Sequence, residues 1–185
     1  MINKSINRTE NAFIVTLYVE IIKNENDKTL LTYANIAIAR LSLHNKILRQ
    51  EFVKRRAINI LANILKRYNN SNVNQTLKNK DENFGLSIIH ALLNFSVTAE
   101  SQSIICILAL DDIIKVIHSR TKAKGLAIKL LKNLQKNKKN RTQIYKKELL
   151  MKSTRKLNTS DNQISTRFKG RALRSQSAHI KSRQD

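Results

Sequence analysis

The chain has 185 residues, a net charge of +22 and 41% hydrophobic residues, with no proline and only three glycines, Gly85, Gly125 and Gly170. That length allows one domain, or one domain with a tail, and that apolar share is enough to bury a core. Sandwiches and barrels need many turn-forming residues, so their scarcity excludes both and leaves an all-α fold.

Residues 11–23 read as a first helix, with Phe13, Val15, Leu17, Tyr18, Val19, Ile21 and Ile22 as its apolar positions. Its apolar stretch contains Thr16 and Glu20 and falls short of the roughly 20 residues that span a bilayer, so a soluble, cytoplasmic chain is expected. The polar run 24–27 breaks the helix, and Asp27 is placed to cap the next one. Residues 28–43 form that second helix. It is apolar nearly all round (Leu30, Leu31, Ala34, Ile36, Ala37, Ile38, Ala39, Leu41), the pattern of a helix buried between neighbours. A turn at 42–45 leads to one or two helices over 46–67, with Ile47, Leu48, Phe52, Val53, Ile58, Ile60, Leu61, Ile64 and Leu65 as their core.

Residues 68–82 are polar and aperiodic, as in a surface loop. A second buried helix follows over 83–95, then a turn at 96–101. Its partner over 104–118 is expected to break near Asp111 and Asp112, because acidic residues suit a helix N-terminus. A third long helix spans 121–134 and a last one 140–151. From Lys152 onward apolar periodicity fails and serine and threonine are scattered among basic residues. Residues 1–151 therefore form a helical domain, and 152–185 a disordered basic tail.

Charge is uneven along this order. Residues 1–28 balance to zero and 69–120 to −1, whereas 29–68 carry +7, 121–150 carry +9 and 151–185 carry +7. Such asymmetry points to an acidic partner. On the third long helix, Lys129, Lys132 and Lys136 step at i, i+3 and i+7 along one face, opposite Ala127, Leu130, Leu131 and Leu134. Lys138, Lys139 and Arg141 extend this cluster. A second cluster contains Arg49, Lys54, Arg55, Arg56, Lys66 and Arg67. In the tail, basic residues precede Ser175 and Ser177 in a pattern that suits a basophilic kinase, whose phosphate would subtract charge.

The four histidines are far apart, and no phosphate-cradling loop, nucleophile elbow or paired catalytic carboxylate is visible. No metal, cofactor, small-molecule substrate or catalysis is expected. Cys106 sits in an apolar run as a small buried hydrophobe. The heavy use of Asn, Ile and Lys reads as compositional bias.

Two segments repeat. Ala91-Leu92-Leu93-Asn94-Phe95-Ser96 is echoed by Leu131-Lys132-Asn133-Leu134, with Asn94 and Asn133 39 residues apart. An earlier copy, Ala37-Ile38-Ala39-Arg40-Leu41-Ser42, has Arg40 at the asparagine position. Helical arrays repeat at this period. These residues resemble armadillo repeats, and the resemblance covers about residues 29–150. It implies a short α-solenoid of about three helical repeats, with 68–82 as an insertion loop on one face. Arg40 and the missing third-helix glycine depart from the family pattern. The absence of Trp and the basic charge exclude the importin-α-type role of holding basic peptides on Trp and Asn ladders. Asn94 and Asn133 are expected to satisfy backbone groups where each helix ends; in some armadillo arrays the equivalent residue faces a bound peptide.

Within that superfamily, Asn133-Leu134-Gln135-Lys136-Asn137-Lys138 resembles a segment of rotatin-like centriole and basal-body proteins. The resemblance implies a non-catalytic adaptor that binds an acidic protein in a centriolar or ciliary assembly. The charge alone leaves a second reading open, RNA or DNA binding of low sequence specificity, since few aromatics are available for stacking. A further expectation is that the chain belongs to a larger complex or solenoid, because its first helix is apolar enough to want another neighbour.

Overall fold

The computed structural model describes residues 2–71 and 80–150. The described residues form eight helices and no strand. These are α1 (Ile2–Asn24), α2 (Lys28–His44), α3 (Lys46–Lys54), α4 (Ala57–Ser71), α5 (Lys80–Phe95), α6 (Ala99–His118), α7 (Lys124–Leu134) and α8 (138–150). Contacts divide the chain into two units, Met1–Ile144 and Tyr145–Asp185. Of the second unit only 145–150 are described, as the end of α8.

Local chemistry sets four of the helix starts. Asp27 Oδ1 accepts from the backbone N–H groups of Thr29 and Leu30, at 2.6 and 3.3 Å, and starts α2. These two bonds hold the Asp27 carboxyl below the usual carboxylate range. The resulting stability is present above the unfolded carboxylate pKa and is lost as pH falls through the lower folded value. Asp27→Asn keeps an acceptor at the cap and should flatten this acid limb, whereas Asp27→Ala should lower stability across the whole pH range. Thermal melts of the two variants against pH separate the outcomes.

The expected turn at 42–45 contracts to a single residue. Asn45 ends α2 and caps α3, accepting from Ile47 and Leu48 N–H at 3.0 Å each. The chain from 46 to 67 makes two helices, which meet at Arg55 and Arg56. Arg56 has φ 60°, a left-handed conformation usually given to glycine or asparagine. Thr98 caps α6, so that helix starts at Ala99, earlier than its apolar pattern indicates.

α1 packs on α2, α3 and α4 through Val15, Val19 and Ile22, which are buried at i, i+4 and i+7. α5 lies between α2 and α7, so these three long helices form one row. α4 and α6 pack together as a second row, with α4 also on α5 and α6 also on α7. Where the rows meet, Phe52 of α3 stands edge-on to Phe95 of α5, with ring centroids 6.1 Å apart. Both rings are fully buried. Tyr68 meets Phe84 in the same manner at 6.0 Å. Gly85 makes that second contact possible, because a Cβ there would lie 2.5 Å from the Tyr68 ring.

Three expectations are revised. α6 does not break at Asp111 and Asp112; it runs unbroken from Ala99 to His118. Asp112 is buried and its carboxylate is used in tertiary structure, accepting from Asn69 Nδ2 of α4 at 3.1 Å and from Lys115 Nζ at 3.0 Å. Asn69 Nδ2 also donates to the Asp112 carbonyl, so a single amide ties the end of α4 to the middle of α6. α4 also extends through Ser71, into the span read as loop, and α5 begins at Lys80; residues 72–79 lie outside the described residues. Finally, α2 is not buried all round. Leu31, Ala34, Asn35, Ile38 and Ala39 face inward, while Leu30 and Tyr33 are 44% and 66% exposed. Ile47 of the expected core is also exposed.

Candidate interaction surface

The asparagines at the two matching sequence positions are fasteners. Asn94 is buried in α5, and its Nδ2 donates to the Ala39 carbonyl of α2 at 2.8 Å. One step along the row, Asn133 Nδ2 of α7 donates to Ser96 Oγ, just past α5, at 3.1 Å. Ser96 Oγ in turn donates to the Leu93 carbonyl. Each long helix therefore reaches back to the end of the one before it. Farther along the α2–α5 interface the contact is looser. Asn35 Nδ2 meets Ser87 Oγ at 3.4 Å, and Asn35 Oδ1 gains no hydrogen bond among the described residues. With their amides used internally, Asn94 and Asn133 have a structural role.

The same chemistry positions the basic segment after α7. Asn137 Nδ2 donates to the Ala99 carbonyl at 3.0 Å and to Ser103 Oγ at 2.9 Å, both on α6. Its Oδ1 accepts from Lys139 N–H and caps α8. Asn140 is buried and donates to the Gln102 and Leu134 carbonyls, each at 3.1 Å. Asn133, Asn137 and Asn140 thus hold residues 133–140 against the body of the molecule, so the cations between them point outward.

Lys129 and Lys132 are exposed on α7, opposite the buried Ala127, Leu130, Leu131 and Leu134, as their spacing predicts. α7 ends at Leu134, so Lys136 belongs to the following turn and not to the helical stripe. Lys136, Lys138, Lys139 and Arg141 are exposed as well. Arg141 Nε donates to the Gln135 carbonyl at 2.9 Å, which fixes the guanidinium over that turn. Among the described residues, Lys129, Lys132, Lys136, Lys138 and Lys139 form no ion pair. Lys122, which shares the third long helix in the sequence pattern, pairs with Glu82 at 3.4 Å.

Half of the second cluster is committed elsewhere. Arg49 Nη1 donates to the Ser42 carbonyl at 2.8 Å and closes the end of α2. Lys54 and Arg55 both flank Glu51, at 3.6 and 3.4 Å. Arg56 is exposed at the α3–α4 corner, and Lys66 and Arg67 are exposed near the end of α4. Arg55 and Arg56 are therefore corner residues, and they do not extend a helical stripe. Ser175 and Ser177 lie outside the described residues.

Sequence reasoning missed Asn137 and Asn140. Both lie beyond the end of α7, across a turn and in a segment rich in Asn and Lys, so no helical spacing marks them. Among the described residues there is no cluster of three or more His, Cys, Asp or Glu able to hold a metal, and no helix is long and apolar enough to cross a membrane. Cys106 is buried with its Sγ 3.6 Å from Gln143 Oε1, and burial pushes its thiol pKa up. Comparison with protein-family models, curated proteins and solved structures found no match.

Proposed function

We propose that the chain is a non-catalytic, armadillo-type adaptor of about three helical repeats whose last repeat binds an acidic protein partner. The observation that carries this reading is the outward array of Lys129, Lys132, Lys136, Lys138, Lys139 and Arg141, set on a segment that three internal asparagines pin in place. From 121 to 147 the chain has ten basic residues and no acidic one. A fixed array of like charges attracts and orients an acidic surface before contact. The α2–α5–α7 row, linked by backward-reaching amides, supports the repeat reading. The rotatin-like segment 133–138 supports a place in a centriolar or basal-body assembly, since it coincides with the pinned basic turn.

Charge reversal tests this. The triple variant Lys129→Glu, Lys132→Glu, Lys136→Glu should lower recovery of acidic partners from cell extract about tenfold or more, as expected when several interfacial charges are inverted. Lys23→Glu, far along the sequence on α1, should leave recovery unchanged. Equal recovery by the triple variant refutes the reading. If recovery disappears instead on nuclease treatment, the partner is nucleic acid and the adaptor assignment fails.

A further inference from the structure

We infer that the outer faces of α1 and α2 are a self-association surface, on which α1 of a second copy of this chain lies across α2. The two ends of the helix row differ. The α7 end presents lysines to solvent, as the closing layer of a stack does. The α2 end presents Leu30 and Tyr33, 44% and 66% exposed, on a stripe continued at helical spacing by half-buried Ala37 and exposed Arg40.

Arg40 occupies the position that holds Asn94 in α5 and Asn133 in α7. Those two asparagines reach back to the preceding row helix. No described row helix precedes α2, and here the position carries an exposed cation instead. A partner covering this stripe must supply both apolar surface and a carboxylate.

The outer face of α1 supplies that combination. Val15, Val19 and Ile22 turn inward, while Phe13 and Leu17 remain 69% and 49% exposed on the other side. Glu10 and Glu20 flank this pair at i−3 and i+3 and are exposed too; Glu20 also meets Lys23 at 3.7 Å and accepts from Asn24 Nδ2 at 2.8 Å, which leaves Glu10 as the acid for a partner's cation. A helix apolar on two sides is built to lie between neighbours. α1 therefore offers apolar side chains between acids, and α2 offers apolar side chains beside a cation. In a two-fold pair each chain gives its α1 to the other's α2, so the contact is self-complementary. Residues 1–44, which hold both faces, carry five basic and four acidic residues, so this end escapes most of the repulsion that a net +22 imposes elsewhere.

Sedimentation velocity of the full chain tests the inference. A monomer–dimer equilibrium should appear between about 1 and 100 µM. It should strengthen as salt rises from about 0.1 to 1 M, because screening removes long-range repulsion and leaves apolar contact intact. Salt should have the opposite effect on capture of an acidic partner by the α7 surface, so the two surfaces fail or succeed independently. Tyr33→Gln and Leu17→Gln change exposed positions without adding charge, and each should weaken the dimer about tenfold or more. A chain that stays monomeric throughout this range overturns the inference, as does a dimer unaffected by both substitutions.

Discussion

Asn94→Asp is expected to destabilise the fold at neutral pH by about 3–5 kcal/mol, the cost of an uncompensated buried charge. The side chain is buried and its donating Nδ2 sits 2.8 Å from the Ala39 carbonyl oxygen. Replacing the amide by a carboxylate sets acceptor against acceptor and strands a negative charge between α2 and α5. Asn94→Ala removes the hydrogen bond without adding charge, so its cost should be lower, about 1–3 kcal/mol. The sign of the pH effect separates the two. Burial favours the protonated form of the new carboxyl, so acidification should recover part of the Asp variant's stability and none of the Ala variant's. Urea melts at neutral and mildly acidic pH provide the measurement. Equal losses for both variants at every pH would show that the amide is not committed to this internal bond.

Phe95→Ala should cost about 3–5 kcal/mol, typical of deleting a fully buried aromatic ring. The ring lies at the end of α5 and meets Phe52 of α3 edge-on at 6.1 Å. Its loss opens a void in the packing that holds α3 to α5. Phe52→Ala should cost a similar amount, while the double variant should lose about 0.5–1.5 kcal/mol less than the sum of the two, the usual size of an edge-to-face coupling. Chemical denaturation of the four proteins closes this cycle. A single-variant cost below about 1.5 kcal/mol would show that the site collapses around the gap.

Much of the helix layout is legible in the sequence, because it rests on short-range patterns. The apolar side of α7 is buried as its 3.6-residue spacing predicts, and Asp27 caps α2 as an acid before an apolar run should. What sequence misplaces depends on partners distant along the chain. Asp112 resembles a helix start until Asn69, 43 residues earlier, is found beside it. Tyr68 belongs to a polar, aperiodic stretch until the gap left by Gly85 receives its ring. The candidate surface divides in the same way. The exposure of Lys129 and Lys132 follows from local periodicity. The engagement of Arg49 with α2 depends on how the chain turns at Asn45, whereas that of Arg55 with Glu51 is a local i, i+4 pair. Asn137 and Asn140 are the most instructive case, since a biased composition concealed residues that bridge two helices each.

The backward-reaching amides suit assembly in chain order. Asn94 donates to a carbonyl 55 residues earlier, Asn133 to a hydroxyl 37 residues earlier and Asn140 to a carbonyl 38 residues earlier. Each acceptor has been synthesised before its donor, so a chain growing from its N-terminus can complete every layer on one already in place. The cationic turn at 136–141 is fixed by acceptors on α6 and at the end of α7, so it takes shape only once those two helices are in place. The surface that would recruit a partner therefore depends on α6 and α7 being formed, and a chain cut before Leu134 cannot display it.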